Sequence, residues 1–308
     1  MIYVYMKGGL GNQFFQYAYT RKIQKMFGGE VKYIVNSYET DELRELSLNK
    51  FKILPSWSVE ENEVSFYKKH KVQSVIKKIV EKLTYVKKKN SAFDENFRPV
   101  RNVILNFVGI HCHQAISYAK PKKSLFKDIY IEGMWHNHSL FDDIREPLIS
   151  ELTLKENFDE ENQKIADKIN ETNSVCIHIR RGDYLKYDCY QVCDLAYYER
   201  ALNKMDSMTT EPTYFVFSDD IQWCKENLSS HGKEMIFVDK NNPDYIDIEL
   251  MSRCKHFIIS NSTFSWWAAY KSNYGKKIVC TPDKWYKGGM KKHSLNVEGW
   301  IEIETFVE

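Results

Sequence analysis

From Ser174 onward, short apolar runs alternate with helical segments, and this alternation restricts the fold more than any other feature of the chain. Residues 175–179, 214–217, 235–238, 257–259 and 277–280 read as strands. Residues 195–205, 221–228, 245–253 and 262–270 read as the helices between them. Strands that are apolar on both sides are buried on both faces, which points to a parallel sheet covered by helices. Such sheets bind ligands beyond the carboxyl ends of their strands. The residues expected there are polar: His178 to Asp183, Ser218-Asp219-Asp220, and Ser260-Asn261-Ser262-Thr263.

The amino-terminal half opens as strand, loop, helix and strand. Residues 2–6 read as a buried strand ended by Gly8-Gly9-Leu10-Gly11, residues 12–26 as a helix, and residues 31–35 as a strand after Gly28-Gly29. The stretch 40–130 is less regular. Its clearest element is a helix over 67–89, where Val72, Val75, Ile76, Ile79, Val80, Leu83 and Val86 form one stripe surrounded by lysines. Residues 103–108 and 128–132 read as strands, and acidic amphipathic helices over 141–171 join two domains. A length of 308 residues suits two such domains, drawn here as 1–150 and 151–308.

Charge and cysteine usage exclude several classes. The 44 basic and 42 acidic residues leave a net charge of +2, too little for a general nucleic-acid binder. Seven cysteines form no CxxC pair, so neither a zinc ribbon nor a disulfide framework is indicated, and reduced thiols in a cytosol are expected. No secretory signal or apolar run of spanning length stands out, and a cytoplasmic location is expected.

Four peptides carry candidate chemistry. In His178-Ile179-Arg180-Arg181-Gly182-Asp183-Tyr184, two adjacent arginines at a strand end need anions or solvent, and the guanidinium fork suits phosphate. The alternative is a salt bridge from one arginine to Asp183. The Gly8-Gly9-Leu10-Gly11-Asn12-Gln13 loop could bring Gly9 and Gly11 backbone amides close to phosphate or sugar, or form only a tight turn. It is neither a dinucleotide fingerprint, since Phe14 stands where the third glycine belongs, nor a Walker loop. Ser260-Asn261-Ser262-Thr263-Phe264-Ser265 offers more donors than the helix cap it could form, while Trp266 and Trp267 read as core. Asp219 and Asp220 suit a ribose, a base edge or a cap. No DxD triplet occurs, and His111-Cys112-His113 and His136-Asn137-His138 lack a third ligand nearby in sequence, so no metal site is assigned.

Taken together, these peptides resemble the α-1,2-fucosyltransferases of glycosyltransferase family 11, the inverting family that includes the blood-group H transferases. The matching pieces run in order: Gly8-Gly9-Leu10-Gly11-Asn12-Gln13-Phe14-Phe15-Gln16-Tyr17-Ala18, the HIRRGDY peptide, Phe217-Ser218-Asp219-Asp220-Ile221-Gln222-Trp223-Cys224, and Ile259-Ser260-Asn261-Ser262-Thr263-Phe264-Ser265-Trp266-Trp267. Residues 40–130 match little, and Gly133-Met134-Trp135-His136-Asn137-His138-Ser139 departs from the family's usual segment. The resemblance implies an α/β GT-B fold of two facing Rossmann-like domains, with GDP-fucose held mainly by the second. It implies that Arg180 grips the β-phosphate and His178 lies near guanine. Arg181, Asp219, Asp220, Asn261, Ser262, Thr263, Ser265, Gly9 and Gly11 are the further donor-binding candidates, with the first loop facing the HIRRGDY peptide across a cleft.

The implied reaction is a metal-independent single displacement at fucose C1, with no cofactor and with GDP leaving. The acceptor is expected to be a galactose-terminated oligosaccharide or a lipid-linked glycan of a surface polysaccharide such as O-antigen. Asp183 is the first candidate for general base and Asp188 the second, with Asn12 positioning the hydroxyl. Asp183 equally suits a partner that orients an arginine. Two rival readings are another nucleotide-sugar transferase, for instance one using a UDP-sugar, and a non-catalytic sugar-nucleotide binder. The lysine-rich helix over 67–89 is either a solvated face or a peripheral contact with anionic membrane at its inner face.

Overall fold

The computed structural model describes residues 1–41, 44–54, 59–60, 63–84, 101–113, 124–287 and 295–305. Two compact units share the chain, Met1–Thr153 and Leu154–Glu308. Each is a parallel sheet flanked by helices, the Rossmann-like pairing of the GT-B class.

In the first unit, β1 (Ile2–Tyr5) leads into α1 (Leu10–Phe27), followed by β2 (Val31–Ile34) and β3 (Val59–Glu60). Next come α2 (Glu63–Lys69), α3 (Lys71–Thr84), a helical stretch α4 over 101–107, β4 (Ile110–His113), β5 (Ile129–Gly133) and α5 (Arg145–Glu151). The strand order is β3-β2-β1-β5-β4, all parallel. Tyr3, Ile34, Ile110 and Tyr130 from four strands pack with Phe66, Val80 and Leu105 from the helices.

Two expectations fail here. Residues 103–107 are helical rather than a strand. Asn102, Leu105 and Asn106 are buried while Val103, Ile104 and Phe107 are exposed, so a short apolar run that suits either element took the helical period. The single helix expected from residue 67 is two helices: α2 and α3 flank His70, whose ring nitrogens bond the Phe66 carbonyl and Asp128, both at 2.8 Å. Residues 85–89 of that expected helix lie outside the described residues.

The second unit runs α6 (Glu160–Glu171), β6 (Asn173–Ile179), α7 (Leu195–Asp206), β7 (Pro212–Ser218), α8 (Ile221–Asn227) and β8 (Glu234–Phe237). It continues with α9 (Asp244–Arg253), β9 (His256–Ile258), α10 (Thr263–Lys271), β10 (Val279–Pro282) and β11 (Ile301–Ile303). Side-chain caps start several helices: Asp159, Asp194, Asp220 and Ser262 each accept a backbone N–H of the first turn. The strand order β8-β7-β6-β9-β10-β11 reverses between β6 and β9, and a doubly wound sheet opens its ligand crevice there. No strand is read from the sequence at β11, nor at β3 and β4 of the first unit, all of two to four residues. Trp266 and Trp267 are fully buried and belong to the core.

α9 and α10 are tied by a buried ion pair, Lys271 Nζ to Glu249 Oε2 at 2.9 Å. Burial lowers the Lys271 pKa, and the Glu249 carboxylate opposes that shift. Removing one partner leaves the other buried without this counter-charge. Glu249→Ala is therefore expected to cost about 3–5 kcal/mol in urea denaturation, whereas the paired replacement Glu249→Leu with Lys271→Met should cost much less.

Candidate active site

The carboxyl ends of β6 and β9 lie side by side, and two tyrosines of α7 pin them. Tyr198 Oη donates to the His178 carbonyl at 3.3 Å, and Tyr197 Oη donates to the Ile259 carbonyl at 2.5 Å. Across this seam the buried His178 ring meets the Ser260 hydroxyl at 2.9 Å through Nδ1. Burial, with Arg180 adding to it, pushes the His178 pKa down to about 3. The ring is neutral near pH 7 and can present one donor and one acceptor rather than a charge.

β6 then delivers two arginines into a set of three aspartates. Arg180 Nε and Nη2 donate to Asp183 Oδ1 at 3.0 and 2.6 Å, and Nη1 pairs with Asp219 Oδ2 at 3.0 Å. The guanidinium is thus aimed from two sides while part of its fork stays available to a ligand. The backbone N–H of Arg181 donates to Asp219 Oδ1 at 2.8 Å, and its Nε donates to Asp220 Oδ2 at 3.0 Å. The Arg181 guanidinium lies 3.9 Å over the Trp223 ring, a stacking that suits arginine and not lysine. Asp220 also caps α8 through the Trp223 N–H, so cap and platform sit three residues apart on one helix turn.

Three of the expected donor-binding residues also hold the fold together. Asn261 Nδ2 donates to the carbonyls of Tyr190 and Trp285 at 3.0 and 2.8 Å, which latches the loop of residues 188–190 to the seam. Ser265 is fully buried against the Ser260 and Ser262 carbonyls. Ser262 caps α10 through the Phe264 N–H at 3.3 Å. Thr263 opens α10, partly exposed beside these residues. The Asp188 carboxylate is four-fifths exposed and pairs with Lys287.

In the first unit, the equivalent reversal lies between β1 and β5. Gly8 has φ +80°, a conformation that favours glycine, and a Cβ there would meet Asn12 Nδ2 at 2.7 Å. Gly9 is the N-cap of α1, and Gly11 is buried in its first turn. Asn12 Oδ1 pairs with His136 Nε2 at 2.9 Å, and burial holds the His136 pKa down to about 4. Gln13 does not face a ligand. Its Nε2 donates to the Gly8 and Glu45 carbonyls at 3.0 and 2.7 Å, and its Oε1 accepts from the N–H groups of Ser47 and Leu48. Trp135, next to His136, takes φ 55° and stacks on Tyr19 at 3.6 Å, a strained backbone held by packing. His111 bonds Tyr19 at 2.8 Å.

Sequence reasoning missed Trp223, Tyr197 and Tyr198 as parts of the site. Trp223 stands three residues after Asp220 in one of the peptides that carry the resemblance, and nothing local marks it as a platform for Arg181. The two tyrosines act through hydroxyls that a core helix ordinarily hides.

Gly182 connects the two arginines to their partners. A Cβ on it would sit 2.6 Å from Asp219 Oδ2. Gly182→Ala is expected to destabilise the fold by about 1–3 kcal/mol through overpacking. In an Asp219→Ala background the same change should cost far less, which a double-mutant cycle of denaturation midpoints can read.

Comparison with known proteins agrees with this arrangement. The model of glycosyl transferase family 11 matches residues 1–304. An alpha-1,2-colitosyltransferase of Escherichia coli is 28% identical over 97% of both chains. The O-antigen biosynthesis glycosyltransferase WbnK of the same species is 28% identical over 98% of this chain and all of its own length. A galactoside alpha-(1,2)-fucosyltransferase 1 of Leontopithecus chrysomelas is 29% identical, over 57% of this chain and 52% of its own length. Among solved structures, the fucosyltransferase NodZ from Bradyrhizobium shares the fold with a TM-score of 0.52 at 14% identity, over 87% of this chain and 92% of that one. A match that spans both Rossmann-like units, with the paired arginines at the strand reversal, places the chain in glycosyl transferase family 11.

Proposed function

We propose that this family 11 glycosyltransferase moves L-fucose from GDP-fucose to the 2-hydroxyl of a terminal β-galactoside, with inversion and without a metal, in the synthesis of a surface polysaccharide. The observation that carries the reading is Arg180, aimed by Asp183 and Asp219 at the reversal of the second sheet. Loss of GDP leaves charge on the β-phosphate. Preorganised donors stabilise that charge best where they need not reorganise, and Arg180 is held in place before any ligand arrives. Arg181, stacked on Trp223, and the amino-terminal end of α10 at Ser262 and Thr263 add donors. The neutral His178 ring suits the base or ribose rather than the phosphate.

Inversion sharpens the choice of general base. Attack comes from the face opposite the leaving phosphate, so the base stands across the sugar from Arg180. Asp183 bonds Arg180 directly, on the leaving-group side, and is assigned the role of aiming that arginine. Asp188, on the exposed loop tied to Asn261 through Tyr190, becomes the candidate that takes the acceptor's proton, and Asn12 the group that positions the hydroxyl.

A second donor, one carrying colitose, is favoured by the full-length likeness to a colitosyltransferase. Release of GDP from fucose and colitose donors, against a panel of β-galactosides with linkage analysis of the product, decides between them. Released UDP or no turnover at all would sink the reading. Arg180→Lys keeps the charge and loses the fork, so kcat should fall by about 10²–10³-fold; near-wild-type turnover would remove Arg180 from the site. Asp188→Asn should lower kcat about 10²–10⁴-fold with the KM for GDP-fucose little changed, while Asp183→Asn, which loosens Arg180, should raise that KM as it lowers kcat.

A further inference from the structure

α3 and α4 pack side by side on one core and leave their other faces apolar and open. Val80 of α3 and Leu105 of α4 share the same cluster, and Gln73 Nε2 donates to the Val108 carbonyl at 2.7 Å. On the far side of α3, Val72, Val75, Ile79 and Leu83 recur every three or four residues and are 61%, 54%, 52% and 78% exposed. That spacing makes one continuous stripe. α4 adds Val103, Ile104 and Phe107, each more than two-fifths exposed. A patch of this kind on a water-soluble surface marks an interaction site.

The charge around the patch selects the occupant. α3 carries four lysines and one acid, Glu81, within a chain whose net charge is only +2. Lys71, Lys78 and Lys82 are exposed and run along one edge of the stripe. Glu81 lies beyond that lysine edge, on the side turned away from the stripe, near Lys77 at 3.9 Å. Protein interfaces are depleted in lysine and enriched in aromatic residues and arginine, whereas this face is mainly aliphatic with a lysine edge. Two such faces in a symmetric dimer would oppose like charges. An aliphatic stripe bordered by long cationic side chains is the pattern of a helix that lies in the headgroup layer of an anionic bilayer.

We infer that the face formed by α3 and α4 docks on an anionic lipid surface, and that the glycan acceptor is lipid-linked. Lys77 and Glu81 of α3 and Arg101 of α4 line a polar pocket with Lys7 and Glu132, beyond the carboxyl ends of β1 and β5. Lys77 and Glu81 are on the side of α3 turned away from the stripe, so a bilayer under these helices lies about one helix diameter, roughly 10 Å, from the end of the first sheet where ligands bind. The acceptor class rests on the glycosyl-transfer reading above; the docking does not.

The test uses the full chain and vesicles of phosphatidylcholine, alone or mixed with phosphatidylglycerol. Sedimentation should show binding at least about tenfold stronger to the mixed vesicles, weakening as salt rises. The double substitution Val75→Glu with Ile79→Glu, and separately Lys71→Glu with Lys78→Glu, should each lower binding about tenfold or more. The melting temperature and transfer to a soluble β-galactoside should be unchanged, while transfer to the same sugar on a lipid carrier in vesicles should fall. Equal binding to both vesicle types, or wild-type binding by both variants, overturns docking. So does a dimer that the valine and isoleucine substitutions dissociate, since a second copy would then cover the face. Docking without preference for the lipid-borne acceptor overturns the acceptor class alone, and absence of transfer to any acceptor counts against the transferase reading while vesicle binding still reports on docking.

Discussion

Burial of β6 on both faces is the constraint from which the rest of the second unit follows. Six of the seven residues of this strand are buried, flanked by β7 and β9. Such a strand has no room for charge until it leaves the sheet, so the first charged residues after Ser174 come at its carboxyl end. The same strand lies at the reversal of strand order, where no crossover covers that end. Arg180 and Arg181 are therefore delivered to the one place in the sheet where charge can meet a ligand.

Charge surplus is not what the proposed anion site rests on. Arg180 and Arg181 face Asp183, Asp219 and Asp220, so the set holds more carboxylates than guanidinium groups. The arrangement trades net charge for orientation. Each arginine is held by carboxylates on one side and leans on an aromatic ring on another, Tyr184 or Trp223. In the proposed site a ligand phosphate would meet donors held by these partners, and the helix end at Ser262 and Thr263 would contribute without adding a side-chain charge. Gly182 is part of the same device, because a residue without a side chain lets Asp219 approach the turn that follows the arginines.

The first unit shows how a motif of polar residues divides into separate tasks. In Gly8-Gly9-Leu10-Gly11-Asn12-Gln13, Gln13 ties the chain near residues 45–48 to the loop, and Gln16 bonds both the N–H and the carbonyl of Lys7. Asn12 instead turns to His136, across the reversal between β1 and β5. All of these amides look alike in sequence. Gly8 apart, the named partners of Gln13 and Asn12 come from 30 or more residues away, and no local pattern announces them.

The sequence by itself determined the parallel sheet of the second unit, its strand and helix order, and the strand ends on which the polar peptides would fall. Those are set by local periodicity and by the rule that buried strands exclude charge, and both are written in neighbouring residues. Which partner each polar residue takes inside the fold was decided only by the tertiary structure. Asn261 and Ser265 bond backbone carbonyls, Ser262 caps a helix, and Asp183 holds Arg180. The reading of 103–108 as a strand failed for a related reason. An apolar run of that length satisfies either period, and packing against Val80 settled it. Hydrogen-bond partners distant in sequence, and the burial that makes them obligatory, exist only once the chain has folded.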